Sequence, residues 1–236
     1  MDIRERLKEI EENLPGDLPD IKIAERYEKS VEKTNVDKLL NAFEKIKDLK
    51  VDYFYSFYKI SSKGLKSINY SLKDIEDLCP VIEGDEDKIG IYISAAINKI
   101  IKDGEEVRLN FGNKRIDFIG LYLSKGKIIV GGGAGDYVGY GMKGGNINME
   151  GGAGNFVGIW MEGGNINIEG GAGDYVGRGM KGGSISIGGN AGKYVGGSSE
   201  GGEIWIDGDY KSIGKNCKAK IYHKGKLVRK WLRWMW

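Results

Sequence analysis

A unit of nineteen residues recurs without gaps through the second half of this chain, and it restricts the possible folds more than any other feature. The stretch GAGDYVGYGMKGGNINMEG is followed by GAGNFVGIWMEGGNINIEG, GAGDYVGRGMKGGSISIGG and NAGKYVGGSSEGGEIWIDG. A degenerate copy precedes them from Phe118, and another, one residue short, follows at Ile213. Self-similarity at a fixed period, with atypical copies at both ends, is typical of stacked repeat proteins.

The glycine content of the repeat selects the kind of stack. Glycine occupies 39 of the 236 positions and proline only 3, which excludes helical repeats and collagen. Each unit holds one alternating strand, such as Asn146–Met149, bounded by glycines. We therefore predict a mainly β fold, a right-handed parallel β-helix of about 5–6 coils with an N-terminal α-helical cap region. Each coil should consist of three short strands joined by glycine turns.

The repeat also predicts which side chains fill the interior. The alanine, valine, methionine and two isoleucine positions of each unit should point inward and form continuous ladders. The strand asparagines alternate with these and should face outward; they are Asn146, Asn148, Asn165 and Asn167. The aromatic residue before each valine should stack on its equivalents, and this ladder comprises Tyr137, Phe156, Tyr175 and Tyr194.

Residues that usually carry catalysis or bind metals are scarce. The two cysteines, Cys79 and Cys217, and the one histidine, His223, exclude a disulfide framework, a four-cysteine metal site and a multi-histidine site. The repeated glycines do not fit a dinucleotide-binding motif, which occurs once between a strand and a helix. Asp136 and Asp174 suit turn positions better than calcium ligands. We predict no catalytic, cofactor-binding or metal-binding residue.

Three regions differ in composition. Residues 89–214 should contain the β-helix, with repeats from about 118. Residues 1–88 should form a mostly helical region that either caps the β-helix or docks a partner protein. Within it Val51–Ile60 suits a strand or a buried helix. Helices are expected over three segments, 1–14, 22–34 and 37–49.

The third region, the tail from 215 to 236, differs from the rest in charge. Residues 211–236 carry nine basic side chains and no acidic one, and the chain ends in KLVRKWLRWMW. Such a segment suits a plug for a partner protein or for the last coil, an anchor at an anionic membrane, or a stacking surface for single-stranded nucleic acid. We favour a protein contact over a membrane or nucleic acid. The candidate partner-binding residues are Trp231, Trp234, Trp236, Arg229 and Arg233.

The overall composition indicates a cytoplasmic protein of a thermophile or an archaeon. The first ten residues, MDIRERLKEI, lack the apolar core of a signal peptide. No apolar run reaches the roughly 18–20 residues of a membrane span. Glutamine is absent and Lys, Glu and Ile are abundant, as in proteins of hyperthermophiles.

The sequence GDYVGxGMKGG followed by an I-x-I/M strand resembles a known family. It is similar to the GXGXG repeat domain, which forms the C-terminal β-helix of the large chain of glutamate synthase and also occurs as one of the subunits of formylmethanofuran dehydrogenase. Residues Ile93–Lys99 and Val107–Phe111 are similar to the helix and strand that lead into the glutamate synthase β-helix. The resemblance covers roughly residues 90–214, and residues 1–88 match neither family.

The resemblance implies a scaffold domain that packs between catalytic modules and carries no active-site residues. Asp2 stands where an amidotransferase would have its nucleophilic cysteine. We therefore expect a non-catalytic scaffold or assembly subunit of an oxidoreductase-type complex, partnered by other subunits or by copies of itself. No cofactor and no small-molecule substrate are expected. The alternatives are a stand-alone enzyme related to glutamate synthase or formylmethanofuran metabolism, and a binding module that acts through the basic tail.

Overall fold

The glycine-rich repeats stack into a parallel β-solenoid of about six turns, as the sequence predicted. The computed structural model describes residues 34–51 and 54–229. Eight strands form one sheet in the order of the sequence, and each pair is parallel except the last, β7 with β8. The strands are β1 Glu106–Leu109, β2 Lys127–Val130, β3 Asn146–Met149, β4 Asn165–Ile168, β5 Ser184–Ile187, β6 Glu203–Ile206, β7 Lys220–His223 and β8 Lys226–Arg229.

The spacing between paired residues follows the sequence repeat and departs from it only at the ends. Neighbouring strands are offset by 19 residues in the centre, where Asn165 pairs with Asn146. The offset is 21 residues where Lys127 meets Glu106, and 17 where Lys220 meets Glu203. The irregular first and last copies therefore still join the same sheet.

Each turn contains one regular strand rather than the three that the sequence predicted. In the rest of the turn successive coils still exchange backbone hydrogen bonds, as when Gly158 N–H donates to the Val138 carbonyl at 2.8 Å. Left-handed backbone at Phe156 (φ 60°) and Gly158 (φ 64°) bends the chain within three residues. Because left-handed conformation interrupts an extended backbone, no further strand can form there.

The predicted inward ladders fill the solenoid. Val138, Met142 and Ile147 are fully buried in one coil, and their equivalents in the next coils are buried as well. The alanine ladder is less complete, because Ala172 is only half-buried. The strand asparagines face outward as predicted, since they alternate with buried isoleucine and methionine. One hydrophobic cluster runs from Leu39 in the helical region to Ile221 in β7.

The predicted aromatic ladder forms on the outside of the turns and is longer than expected. Its rings stack with centroids 4.7 to 5.0 Å apart from Phe118 through to Tyr194. Phe54, from a helix, stacks on Phe118 at 5.3 Å and extends the ladder by one ring. The sequence repeat could not indicate Phe54, because that residue lies outside the repeats.

Four α-helices precede the solenoid in the described residues. The ambiguous segment Val51–Ile60 contributes to a helix. The helix predicted over 37–49 begins two residues earlier, at Asn35, and ends at Glu44, so it is shorter than expected. The predicted helices over 1–14 and 22–34 lie outside the described residues. The four helices are α1 Asn35–Glu44, α2 Phe54–Gly64, α3 Leu72–Leu78 and α4 Glu86–Ile100.

Helix α4 joins the other helices to the first turn of the solenoid. The Tyr92 hydroxyl donates to the Leu39 carbonyl at 2.7 Å, which ties α4 to α1. Ser94 Oγ donates to the Phe118 carbonyl at 2.9 Å and accepts from Gly120 N–H at 3.0 Å, which ties α4 to the first turn. The helix and the strand expected around residues 93–99 and 107–111 are thus present as α4 and β1.

Candidate functional site

Most of the predicted partner-binding residues lie outside the described residues; these are Trp231, Trp234, Trp236 and Arg233. Arg229 is the last residue of β8, whose antiparallel pairing with β7 closes the sheet. The candidate contact through the tail therefore stays a prediction.

Among the described residues no hydrogen bond joins the histidine to either cysteine. Cys79 is buried at the end of α3, and burial raises the pKa of its thiol to about 12, so it stays a neutral core residue. Cys217 Sγ lies 3.6 Å from Ser199 Oγ inside the last turns. His223 Nε2 is 3.6 Å from Asp209 Oδ1, beyond hydrogen-bonding distance. These three side chains, all within the described ranges, do not pair a nucleophile with a base.

The aspartates of the repeat serve the turns, as the sequence predicted. Asp136 Oδ1 accepts the backbone N–H of Asn155 at 2.7 Å, and Asp174 Oδ1 accepts that of Lys193 at 2.7 Å. Asp117 occupies the same position in the first turn and accepts from Asp136 N–H at 2.8 Å. Burial, together with the neighbouring carboxylates of Asp87 and Asp136, raises the pKa of Asp117 to about 6.

One side of the solenoid presents an uncharged polar surface. The outward residues of β3, β4 and β5 are all amides or hydroxyls, and Asn165 Nδ2 donates to Asn146 Oδ1 at 3.0 Å. Charged pairs lie at its borders, where Lys127 meets Glu106 at 3.2 Å and Lys220 meets Glu203 at 2.9 Å. We call this surface the sheet face; it comprises Asn146, Asn148, Asn165, Asn167, Ser184 and Ser186.

Two aromatic rings continue the sheet face toward the C-terminal end. Trp205 pairs with Ser186 in the sheet register, and Tyr222 follows in the next strand. Their rings stack with centroids 3.7 Å apart and planes inclined by 4°. An uncharged polar surface next to a Trp–Tyr pair has the composition of a protein interface, in which aromatic residues are enriched and charged residues depleted.

A second surface lies between the helices and an adjacent side of the solenoid. It is a cleft of about 620 Å³, which we call the aromatic cleft. Helix α2 supplies one wall and the turns that follow the aromatic ladder supply the other. Five aromatic side chains line it together with Asn98, Ser124, Lys143 and Glu162; the aromatic residues are Tyr55, Tyr58, Tyr122, Tyr140 and Trp160.

The rings of the aromatic cleft meet edge to face. Tyr58 and Tyr122 lie 5.4 Å apart at 85°, and Tyr140 and Trp160 lie 5.3 Å apart at 82°. Burial raises the pKa of Tyr122, and that of Tyr140 to about 12, so both phenols stay neutral hydrogen-bonding groups. Despite these contacts the side chain of Trp160 remains 53% exposed. The packing of the cleft therefore does not bury its largest ring.

Sequence reasoning missed the aromatic cleft. Its solenoid wall includes one repeat position that alternates between a large ring and glycine, as Tyr122, Gly141 and Trp160, with Gly179 next in the series. That alternation is visible in the sequence and could have marked the position. The opposite wall could not be found from the repeat, because Tyr55 belongs to a segment whose conformation the sequence left open.

Within residues 34–51 and 54–229 no helix is long and apolar enough to cross a membrane, and no group of three or more His, Cys, Asp or Glu side chains is placed to hold a metal ion.

Comparison with known proteins adds no family. No protein-family model and no curated protein matches the chain. The likeness to the GXGXG repeat domain thus stands on the repeat residues alone.

Proposed function

We propose that this protein is a non-catalytic scaffold or assembly subunit of an oxidoreductase-type complex. The observation that carries the proposal is the sheet face, a rigid array of amides and hydroxyls in a chain of which 30% of the residues are charged. Charged side chains are costly to desolvate, so their absence from this regular, described surface favours contact with another protein.

The aromatic pair beside the sheet face supplies the anchor that such a contact needs. Trp205 and Tyr222 belong to residue types that dominate binding energy at interfaces. Both sit on strands, so little conformational entropy is lost when a partner covers them. The partner that fits is another folded subunit with an uncharged, hydrogen-bonding surface.

The kind of complex follows from the resemblance of the repeat to the GXGXG domain. In those proteins the domain packs between catalytic modules of redox and amide-nitrogen chemistry. We expect this chain to assemble with such modules, or with copies of itself, in the cytoplasm. Turnover by the purified chain alone would instead favour the alternative of a stand-alone enzyme.

The test is co-purification of the tagged full-length chain from native extract at low salt, with identification of the bound chains by mass spectrometry. We expect catalytic chains of one oxidoreductase complex in fixed stoichiometry. Asn167→Arg places a charge at the centre of the sheet face and should remove these chains without changing the melting temperature. Lys193→Glu, a charge reversal at an exposed turn position, is the matched control and should retain them.

Two results would contradict the proposal. One is a wild-type protein that stays alone and monomeric in the eluate. The other is recovery of the same chains with Asn167→Arg as with wild type, since the sheet face would then not be the contact. Self-association that Asn167→Arg abolishes would support an assembly role through copies of the chain rather than through other subunits.

A further inference from the structure

We propose that the aromatic cleft binds a neutral oligosaccharide, with the indole of Trp160 as the stacking platform. This ligand site is separate from the sheet face and independent of the scaffold role. The proposal depends on the exposure of the rings, on the backbone that holds Trp160 and on the balance of charge around the cleft.

Exposure of the rings is the first argument. Trp160 is 53% exposed and Tyr55, on the opposite wall, is 48% exposed, so two large aromatic surfaces remain in contact with water across one cleft. Exposed aromatic rings that converge on a concave surface mark a binding site more often than a structural need. Flat aromatic faces accept the C–H-bearing faces of sugar rings, which carry partial positive charge.

The backbone at Trp160 is the second argument. Its φ is 52°, and left-handed backbone at this repeat position belongs to the fold, since Tyr122 has a φ of 57° and the intervening Gly141 and Gly179 are left-handed too. Glycine adopts this conformation without strain, so a tryptophan costs stability relative to the glycines of the coils on either side. Tyr122 is half-buried and regains part of that cost by packing, whereas Trp160 is 53% exposed and regains little. A large ring kept here without burial is therefore better explained by contact with a ligand.

Neighbouring glycines leave room for the rings to stand on the solenoid. A Cβ atom at Gly179 would collide with the Cδ1 edge of the Trp160 indole, and a Cβ at Gly141 would lie 2.8 Å from an edge of the Tyr122 ring. Each ring therefore meets the glycine of the next coil with an edge, and that coil does not cover its faces. The alternation of ring and glycine thus makes space for an upright indole, on whose exposed surface a pyranose ring can stack.

The charges around the aromatic cleft select a neutral ligand. Lys143, Glu162 and Lys181 occupy equivalent positions in successive coils, and the charge changes sign at each step. Lys59 Nζ lies 4.5 Å from the ring centroid of Tyr55, where a cationic ligand would otherwise stack. The Glu162 carboxylate lies 3.4 Å from Lys181 Nζ, so this pair presents little net charge to attract an anionic ligand such as a phosphate backbone. A polyhydroxyl ligand can donate to the carboxylate and accept from the ammonium groups.

The length of the site favours a chain of sugars over a single one. Beyond Trp160 the aromatic cleft continues into a second depression of about 400 Å³, lined by Arg178, Lys181 and Glu200. Trp160 borders both spaces. On the helix side the cleft is lined by Asn98, whose Nδ2 donates to the Tyr58 hydroxyl at 3.1 Å and to the Leu121 carbonyl at 2.8 Å. Sugar units could therefore bind on both sides of the indole.

The test is isothermal titration of the full-length protein with four neutral hexasaccharides: a β-1,4-glucan, an α-1,4-glucan, a β-1,4-mannan and a chitin oligomer. We expect saturable binding of at least one. Trp160→Gly should weaken it at least tenfold and leave the melting temperature the same or higher, because glycine is the residue of both neighbouring coils. Tyr194→Gly, which removes another exposed ring held at positive φ, is the matched control and should bind as wild type does.

Several outcomes would overturn the proposal. These are no saturable binding of any of the four hexasaccharides at millimolar concentration, equal binding by Trp160→Gly, and equal weakening by Tyr194→Gly. Saturable binding of a single-stranded oligothymidylate that depends on Trp160, with no sugar binding, would assign the cleft to nucleic acid and would also refute it.

Discussion

At the scale of single residues, one position of the repeat makes the same backbone hydrogen bond in successive turns, but its surroundings differ in the first turn. Asp136 and Asp174 accept a backbone N–H from the next coil, and Asn155 does the same with its amide oxygen at 2.9 Å. Asp117 makes this hydrogen bond too, but α4 brings Asp87 beside it. Burial and the competition between the carboxyl groups for ionisation then raise the pKa of Asp117 to about 6.

The raised pKa of Asp117 predicts that stability depends on pH. Protonation favours the folded state when the folded pKa exceeds that of the unfolded chain, so this contribution is complete below about pH 4 and is lost as the pH rises through about 6. In Asp117→Asn the uncharged amide oxygen can accept the same backbone N–H, as the amide oxygen of Asn155 does in its own turn. Its melting temperature relative to wild type should therefore increase between pH 4 and pH 7 in calorimetry.

A second variant separates the charge effect from any change in hydrogen bonding. Asp87→Asn removes one of the two carboxylates that raise the pKa of Asp117 and leaves Asp117 in place. It should reduce the pH dependence of wild-type stability over the same range. An offset between Asp117→Asn and wild type that is constant from pH 4 to pH 7 would show that Asp117 does not titrate there.

At the scale of secondary-structure elements, α4 lies so close to the first turn at Gly90 that no side chain would fit between them. A Cβ atom at Gly90 would overlap the backbone carbonyl of Asp117, so the helix can approach the turn only because residue 90 is glycine. One turn of helix later Ser94 bonds the same loop through its hydroxyl. Together these contacts fix the helical region on the solenoid and so position α2 beside the aromatic cleft.

This close approach predicts opposite effects for two glycine-to-alanine changes in helices. Gly90→Ala must push α4 away from the turn and should lower the free energy of unfolding by roughly 1–3 kcal/mol or more. Gly64→Ala, at the end of α2, meets no atom within 4 Å and should raise it by up to about 1 kcal/mol. Urea unfolding monitored by circular dichroism measures both. Equal effects would mean that the α4 contact is not tightly packed.

At the scale of the whole molecule, the solenoid should tolerate the loss of one complete coil. Deleting residues 153–171 joins Gly152 to Ala172, which restores the sequence and register of a normal junction because the offset is 19 residues. The shortened chain should fold, with a lower melting temperature because one interface between coils is lost. Circular dichroism and size-exclusion chromatography would show this.

The matched control for the coil deletion removes one residue fewer, 154–171. One extra residue is then left in the joined coil and must be absorbed as a bulge, as the irregular end copies do with offsets of 21 and 17 residues. This variant should have a lower melting temperature than the exact deletion, because the bulge breaks backbone hydrogen bonds between two coils. If both deletions behaved alike, the equivalence of the coils that the repeat implies would be wrong.

The sequence alone determined the parts of this protein that depend on local periodicity. The repeat predicted the solenoid, its offset, the buried faces of the strands and the aromatic ladder from Tyr137 to Tyr194, because equivalent residues of stacked coils must meet. It wrongly predicted three strands per coil. Strand patterning reports which side chains are buried and not how often a left-handed residue interrupts the backbone.

Only the tertiary structure decided what happens where non-repeating segments meet the solenoid. The conformation of Phe54–Gly64, the proximity of Asp87 to Asp117 and the aromatic cleft all depend on contacts between residues far apart in the chain. Such contacts carry no period and leave no pattern within either segment. They are set by which helix face fits the first turns once both have formed, and the position of Tyr55 opposite Trp160 follows from that fit.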